Sequence, residues 1–238
     1  MRLSDAAWRV GRAVRRYGAR GAVRQALHRA RRVPARHRNA RRDAAFDRRY
    51  GVETAGVVHL ATLDVVGGNR NFGVSYEGVD PARFQTIVGT LPIAYDEYTF
   101  VDLGSGKGRA LVLAADLPFR RIIGVEFSRE LHVIALRNIE RLQPGTVRGR
   151  RIESVWSDAA EFAFPQEPLV VHFFNPFFGP VITRVLDNLK ASVADAPRDA
   201  LLCFTGDVPV EVATGQEFVR ARAQVYSLAR SPEAAAAG

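Results

Sequence analysis

The chain has a single cysteine among its 238 residues, Cys203, which excludes an intrachain disulfide and a cysteine-based metal cluster. That cysteine sits inside the apolar run Ala200-Leu-Leu-Cys-Phe204, where a small buried hydrophobe is the simplest reading. The histidines, at 28, 37, 59, 132 and 172, fall at no metal-ligand spacing, so no metal is expected. No stretch approaches the ~18 consecutive apolar residues of a membrane span, and the first residues lack the apolar core of a secretory signal. A reducing, cytoplasmic location is therefore the expectation. Internal repeats are missing, and neither a Ser-His-Asp constellation nor a paired-carboxylate site can be argued from the order of residues. Acid is scarce in one place only. Residues 1–50 hold 16 Arg against 3 Asp, a surplus of 13, and the remainder is in deficit by 4, which leaves the net charge at +9. Anionic contacts are thus expected for the N-terminal segment alone.

What is present is ordinary for a globular protein: 47% hydrophobic and 25% charged residues, in a chain long enough for one full core with an appendage. Three segments divide it. Residues 1–45 read as a basic helical arm, residues 46–97 as a helical and loop segment suited to a lid, and residues 98–230 as the main domain. In the arm, residues 4–32 form one or two amphipathic helices opened by Ser4, with Trp8, Val10, Val14, Tyr17, Val23 and Leu27 set among arginines. Gly18 and Gly21 are breaks, Val33-Pro34 is a stop, and a second helical piece is expected from about Arg38 to Arg49. Such an arm suits nucleic acid or anionic lipid, a cover over a ligand, or a solvated tail, and its composition also matches an organelle transit peptide. The lid segment carries a Gly/Asn-rich loop, Val66-Gly-Gly-Asn-Arg-Asn-Phe-Gly73, then Val74-Ser-Tyr-Glu77 and a helix from Pro81 to about Leu91. A loop of that kind, just ahead of the main domain, suits a substrate-covering element.

From Tyr98 onward strands and helices alternate. Strands are expected at 98–103, 121–126, 151–156, 169–175 and 200–205, with weaker extended segments at 217–220 and 223–228. Helices are expected at 107–117, 129–142 and 179–193. The strands are near-continuously apolar, as parallel strands covered on both faces are. The fold class is α/β, a doubly wound, mostly parallel seven-stranded sheet with an N-terminal helical extension.

The densest signal is Tyr98-Thr-Phe-Val-Asp-Leu-Gly-Ser-Gly-Lys-Gly108, followed by Arg121-Ile-Ile-Gly-Val-Glu126. It spells strand, glycine turn, helix, strand, with a carboxylate at the tip of each strand. Ligands of open α/β sheets bind just outside such strand ends. A dinucleotide fingerprint would place glycine where Arg109 stands, and a P-loop would need glycine at Val101 and Ser or Thr at Gly108. Neither fits. The pattern Asp102-x-Gly104-x-Gly106-x-Gly108, with Gly124-Val-Glu126 after it, instead resembles motif I of the class I S-adenosylmethionine (SAM)-dependent methyltransferases.

That resemblance implies a Rossmann-like methyltransferase fold whose last strand runs antiparallel, and SAM as cofactor. It assigns the cradle to Asp102, Gly104, Ser105, Gly106 and Gly108, and the ribose hydroxyls to Glu126, with Phe127 beside it. It also assigns the adenine amino group to Asp158 and a ring nitrogen to the backbone amide next to it, at Ala159. Read from the residues alone, Asp102 could equally hold the glycine turn and Asp158 could be a helix N-cap.

The fourth strand ends in Val170-Val-His-Phe-Phe-Asn-Pro-Phe-Phe-Gly-Pro180. Asn175-Pro176-Phe177 lies where class I enzymes place their methyl-acceptor motif, and resembles the Asn-Pro-Pro-aromatic motif of amine methyltransferases. By that resemblance Asn175 and the Pro176 carbonyl orient an amine between the walls of Phe177 and Phe178. Tyr76 is the candidate from the lid segment to close over the cofactor. The segment Phe174–Pro180 also resembles the acceptor loop of the SET-lacking histone-lysine methyltransferases, with Pro176 in place of that family's second Asn. His172, mid-strand beside the loop, is either a base or a satisfied core histidine. The function these residues imply is metal-free methyl transfer, N-directed on an amine of a protein or small molecule. Two alternatives stand beside it: O-methylation, and a nucleic-acid-binding or regulatory module that uses the Arg-rich arm. A nicotinamide oxidoreductase is disfavoured by the glycine spacing.

Overall fold

The computed structural model describes residues 33–142 and 151–228. The chain divides into two compact units, Met1–Phe46 and Asp47–Gly238. Helix α1 (Val33–Tyr50) opens the described part, and Pro34 falls in its first turn, where a missing N–H costs nothing. Arg48 and Arg49 occupy its last turn, the favourable end of the helix dipole for cations. The helices expected over residues 4–32 and the anionic contacts of that arm lie outside the described residues, as do residues 229–230 of the expected main domain.

Seven strands form one sheet: β1 (Thr99–Leu103), β2 (Arg121–Glu126), β3 (Arg151–Trp156), β4 (Leu169–Phe173), β5 (Ala200–Phe204), β6 (Phe218–Arg222) and β7 (Val225–Leu228). Their order is β3-β2-β1-β4-β5-β7-β6. β1 to β5 pair in parallel, and β7 pairs antiparallel with both β5 and β6, so the last strand alone opposes the rest. This is the mostly parallel α/β sheet that the sequence implies. β1 and β4 are buried along their whole length, as central strands covered on both faces must be. Phe100, Leu103, Val170 and Leu202 are fully buried, each contributing roughly 1.5–3 kcal/mol of apolar transfer. Cys203 belongs to this core, and burial pushes its thiol pKa up to about 12, so it is an inert packing residue.

The helices are α2 (Pro81–Ile87), α3 (Arg109–Ala115), α4 (Arg129–Arg141), α5 (Pro180–Asp195) and α6 (Val210–Thr214). Local chemistry sets several of the starts. Asp80 caps α2 by accepting from Arg83 N–H with Pro81 at the first position, and Ser128 caps α4 by accepting from Leu131 N–H. α3 begins at Arg109 rather than at residue 107, because Gly106 and Gly108 hold left-handed φ of 57° and 82° that no helix accommodates. β4 stops at Phe173 rather than at residue 175, because Asn175 also turns left-handed, at φ 51°. The turn at Ala159–Glu161 follows Asp158, as its reading as an N-cap expects, whereas α6 and the 3-10 turns at Leu60–Thr62, Arg70–Phe72 and Tyr95–Glu97 were not anticipated. They are too short to show a period. Among the described residues no helix is long and apolar enough to cross a membrane.

Candidate functional site

The site is built where β1 and β2 end. After Leu103 the chain turns through Gly104, Gly106 and Gly108, all at positive φ (77°, 57° and 82°). Two of them also admit close neighbours: a side chain on Gly104 would run into the Pro176 ring, and one on Gly106 into the Tyr76 ring. The N–H groups of Gly104 and Ser105 both donate to the Val125 carbonyl, at 2.8 and 3.0 Å, which ties the turn to β2. The next N–H, of Gly106, donates to Glu126 Oε2 at 2.7 Å, while Ser128 N–H donates to Oε1 at 2.7 Å. Glu126 is only 3% exposed, and desolvation pushes its pKa up to about 7. The backbone N–H groups of Ser128, Gly106 and Phe127 oppose that rise and the nearby Asp102 charge adds to it.

Asp102, at the tip of β1, is buried beside His172 of β4, with Oδ1 2.6 Å from Nδ1. These groups face a cleft of about 60 Å³. Asp102, Gly104, Gly106 and Glu126 form its floor, Tyr76 and Phe127 border it, and Phe174, Asn175 and Pro176 stand at the β4 end.

A strap over residues 56–79 crosses this cleft. On the β2 side, Val66 N–H donates to the Phe127 carbonyl at 2.9 Å and Arg129 N–H to the Asp64 carbonyl at 3.2 Å. Asn69 Nδ2 donates to Asp158 Oδ2 at 2.7 Å, and Gly67 packs against the same carboxylate so closely that a Cβ there would clash. On the β4 side, Val74 N–H donates to the Pro176 carbonyl at 3.2 Å and Phe178 N–H to the Phe72 carbonyl at 3.1 Å.

The strap is rooted by residues of the glycine turn itself. Lys107 Nζ donates to the Ala55 carbonyl at 2.9 Å, and Arg109 Nε to Thr54 Oγ1 at 2.7 Å. Thr54 is held in turn by Asp47, which accepts from its N–H at 2.9 Å and its hydroxyl at 2.6 Å. Asn138 of α4 pins Glu53 through both backbone groups and also donates to the Lys107 carbonyl at 2.8 Å.

The structure brings most of the expected site residues to one place. Asp102, Gly104, Ser105, Gly106, Glu126 and Phe127 line the cleft, as do Tyr76, Asn175 and Pro176. Gly108 lies behind it as the N-cap of α3, packed on Ala135. Asp158 caps the turn at Ala159–Glu161 by accepting from Ala160 N–H at 3.0 Å, and so serves as an N-cap as well as facing the strap. The Tyr76 hydroxyl donates to the Thr54 carbonyl at 2.6 Å, so the face it presents to the turn is its ring. Asn175 Oδ1 accepts from Asp207 N–H at 2.8 Å. Phe177 packs edge-on against Phe173 and Phe178 against Phe72, and neither is among the cleft-lining residues. Phe174 and Arg109 line it instead, without having been expected to, and so does His172, for which the sequence offered a base or a core histidine. Phe174 could have been found from its place in the acceptor segment; Arg109 carried no sequence signal for this role.

No family model matches the chain, and no curated protein matches it. Solved structures that it resembles include a SAM-dependent methyltransferase of Leishmania major, at 11% identity and a TM-score of 0.40 over 52% of this chain and 49% of that one. A SAM-dependent methyltransferase of Thiobacillus denitrificans, complexed with S-adenosylhomocysteine, matches at 22% identity and a TM-score of 0.39 over 52% and 48%. The glycopeptide N-methyltransferase MtfA, complexed with SAM, matches at 18% identity and a TM-score of 0.37 over 64% and 66%. The match spans about half the length of the first two of these structures. Likeness at this level assigns no activity.

Proposed function

We propose that the chain is a SAM-dependent methyltransferase that acts on an amine of a protein or small molecule. The observation that carries this reading is a pair of buried carboxylates, Asp102 and Glu126, at the tips of adjacent parallel strands, joined by a turn with three positive-φ glycines. The residues fit the cofactor. Glu126 accepts two backbone N–H groups, and each of its oxygens keeps a lone pair for a ribose hydroxyl. Asp102 supplies the negative charge for the ammonium of the methionine part. Asp158 and the Ala159 N–H lie under the strap outside the cleft, with Asp158 bonded to Ala160 N–H and Asn69, and would take the adenine edge once the strap lifts.

Bound there, SAM supplies an electrophilic methyl group on a sulfonium. The chain's own residues do the rest. An amine acceptor must present a neutral lone pair in line with the bond that breaks, so its N–H groups have to be held from the side. Asn175 Oδ1 and the Pro176 carbonyl are the acceptors for this, each using the lone pair left over from its bond to Asp207 or Val74. Phe174 lines the same end and favours the cation that develops on nitrogen. The strap is the lid. Small-molecule sites usually hold roughly 300–1,000 Å³, and the cleft beneath the strap has about 60 Å³. The strap therefore lifts to admit cofactor and closes to exclude water.

The test is transfer of labelled methyl from SAM to a panel of primary and secondary amines and matched alcohols. Incorporation into amines that stops with Asn175→Ala supports the reading. Incorporation into alcohols alone would make the enzyme O-directed, and no incorporation into any acceptor, with no binding of S-adenosylhomocysteine, would overturn it.

A further inference from the structure

Asp102 carries a partner set that cofactor binding by itself does not require. Its Oδ1 lies 2.6 Å from His172 Nδ1, and His172 Nε2 lies 2.8 Å from Thr205 Oγ1. Asp102 and His172 are direct register partners on β1 and β4, and Thr205 follows the end of β5, the next strand along. His172 and Thr205 are completely buried. The imidazole is fixed from the side as well, edge-on to Phe84 at 5.5 Å and stacked on Phe100 at 5.7 Å.

The donors and acceptors of this chain can be assigned from chemistry. An ionised carboxylate only accepts, so Nδ1 carries the proton that reaches Asp102. Nε2 then bonds the Thr205 hydroxyl, which can serve a ring nitrogen as donor or acceptor. All these contacts are satisfied in one ring orientation, and turning the ring would strand two buried polar groups.

We propose that His172 and Thr205 are positioning residues for Asp102. They commit Oδ1 to the protein and leave Oδ2 as the single anionic atom offered to the cleft, aimed at the α-ammonium of the cofactor's methionine part. This rests on the methyltransferase reading and names the residues that set its selectivity for an amino-acid tail. Thr205 also stands two residues before Asp207, whose N–H holds Asn175, so the same β5 loop supports both ends of the cleft.

The test compares two ligands on four proteins. S-adenosylhomocysteine and its analogue with hydrogen in place of the α-amino group are titrated calorimetrically into wild type, Thr205→Val, Thr205→Ser and His172→Phe. Thermal melts check that each variant is folded. The expected result is about a tenfold loss of S-adenosylhomocysteine affinity in Thr205→Val and His172→Phe, little change for the deamino analogue, and recovery in Thr205→Ser. Should His172→Phe fail to fold, the threonine pair decides alone. Equal losses for both ligands, or no loss for either, would overturn the positioning role while leaving the methyltransferase reading intact. A folded wild type that binds neither ligand would overturn that reading, and this proposal with it.

Discussion

Glu126 gives the sharpest quantitative consequence of the cleft geometry. Burial raises its pKa from 4.5 to about 7, so the native protein holds a proton there that the unfolded chain has released. The sign follows directly. Below pH 4.5 both states are protonated and Glu126 costs nothing. Between pH 4.5 and 7 stability falls, by about 3 kcal/mol once the pH exceeds the native value. A ligand that donates ribose hydroxyls to the carboxylate favours its ionised form and lowers that pKa again. Binding therefore expels a proton when the pH is below 7. S-adenosylhomocysteine affinity should fall about tenfold per unit of pH below 7 and be flat above it. Calorimetry in two buffers of different ionisation enthalpy should count about 0.9 proton released per site at pH 6 and about 0.1 at pH 8. Glu126→Gln should bind weakly at both values and release none. Affinity that is constant from pH 6 to 8, without proton release, would refute the placement of Glu126 against the ribose.

Other perturbations read different parts of the same account. Asn175→Ala should leave S-adenosylhomocysteine affinity within about twofold and lower turnover by about 10²-fold or more, since only acceptor alignment is lost; equal losses in both would show that Asn175 supports the fold or the cofactor instead. Asn69→Ala removes the bond from the strap to Asp158, so ligand dissociation should quicken several-fold and amide exchange over residues 65–73 should accelerate; unchanged exchange would mean the bond does not latch the strap. Asn138→Ala leaves the part-buried backbone groups of Glu53 and the buried Lys107 carbonyl without their partner and should cost about 2–3 kcal/mol in denaturant unfolding. A cost below about 0.5 kcal/mol would show that solvent reaches that joint.

The sheet was legible because its strands are written in continuous apolar runs closed by informative residues. Asp102 and Glu126 end two of those runs, and the three glycines between them leave one kind of turn. β2 begins and ends where its run does, while β3, the edge strand Arg151-Ile-Glu-Ser-Val-Trp156, keeps its expected bounds with only three apolar residues. The direction of the last strand, in contrast, came from a family resemblance, since nothing in Val225–Leu228 states whether it runs up or down. Contacts between distant segments were not legible at all. His172 meets a carboxylate 70 residues before it and a hydroxyl 33 residues after it, and only the strand order makes them neighbours. Lys107 and Arg109 read as ordinary members of a glycine turn, yet their side chains reach back to Ala55 and Thr54 and root the strap. Phe177 and Phe178 illustrate the opposite limit. An aromatic beside an acceptor loop has the same composition whether it walls a site or packs beneath it, and here both pack against other phenylalanines.

The most direct test of the central claim is a structure of the protein with S-adenosylhomocysteine bound. The ribose hydroxyls should lie on Glu126, the α-ammonium on Asp102, adenine beside Asp158, and the thioether sulfur facing Asn175 beneath the strap. A ligand bound elsewhere, or one in this cleft that leaves Glu126 bonded only to Gly106 and Ser128, would contradict it.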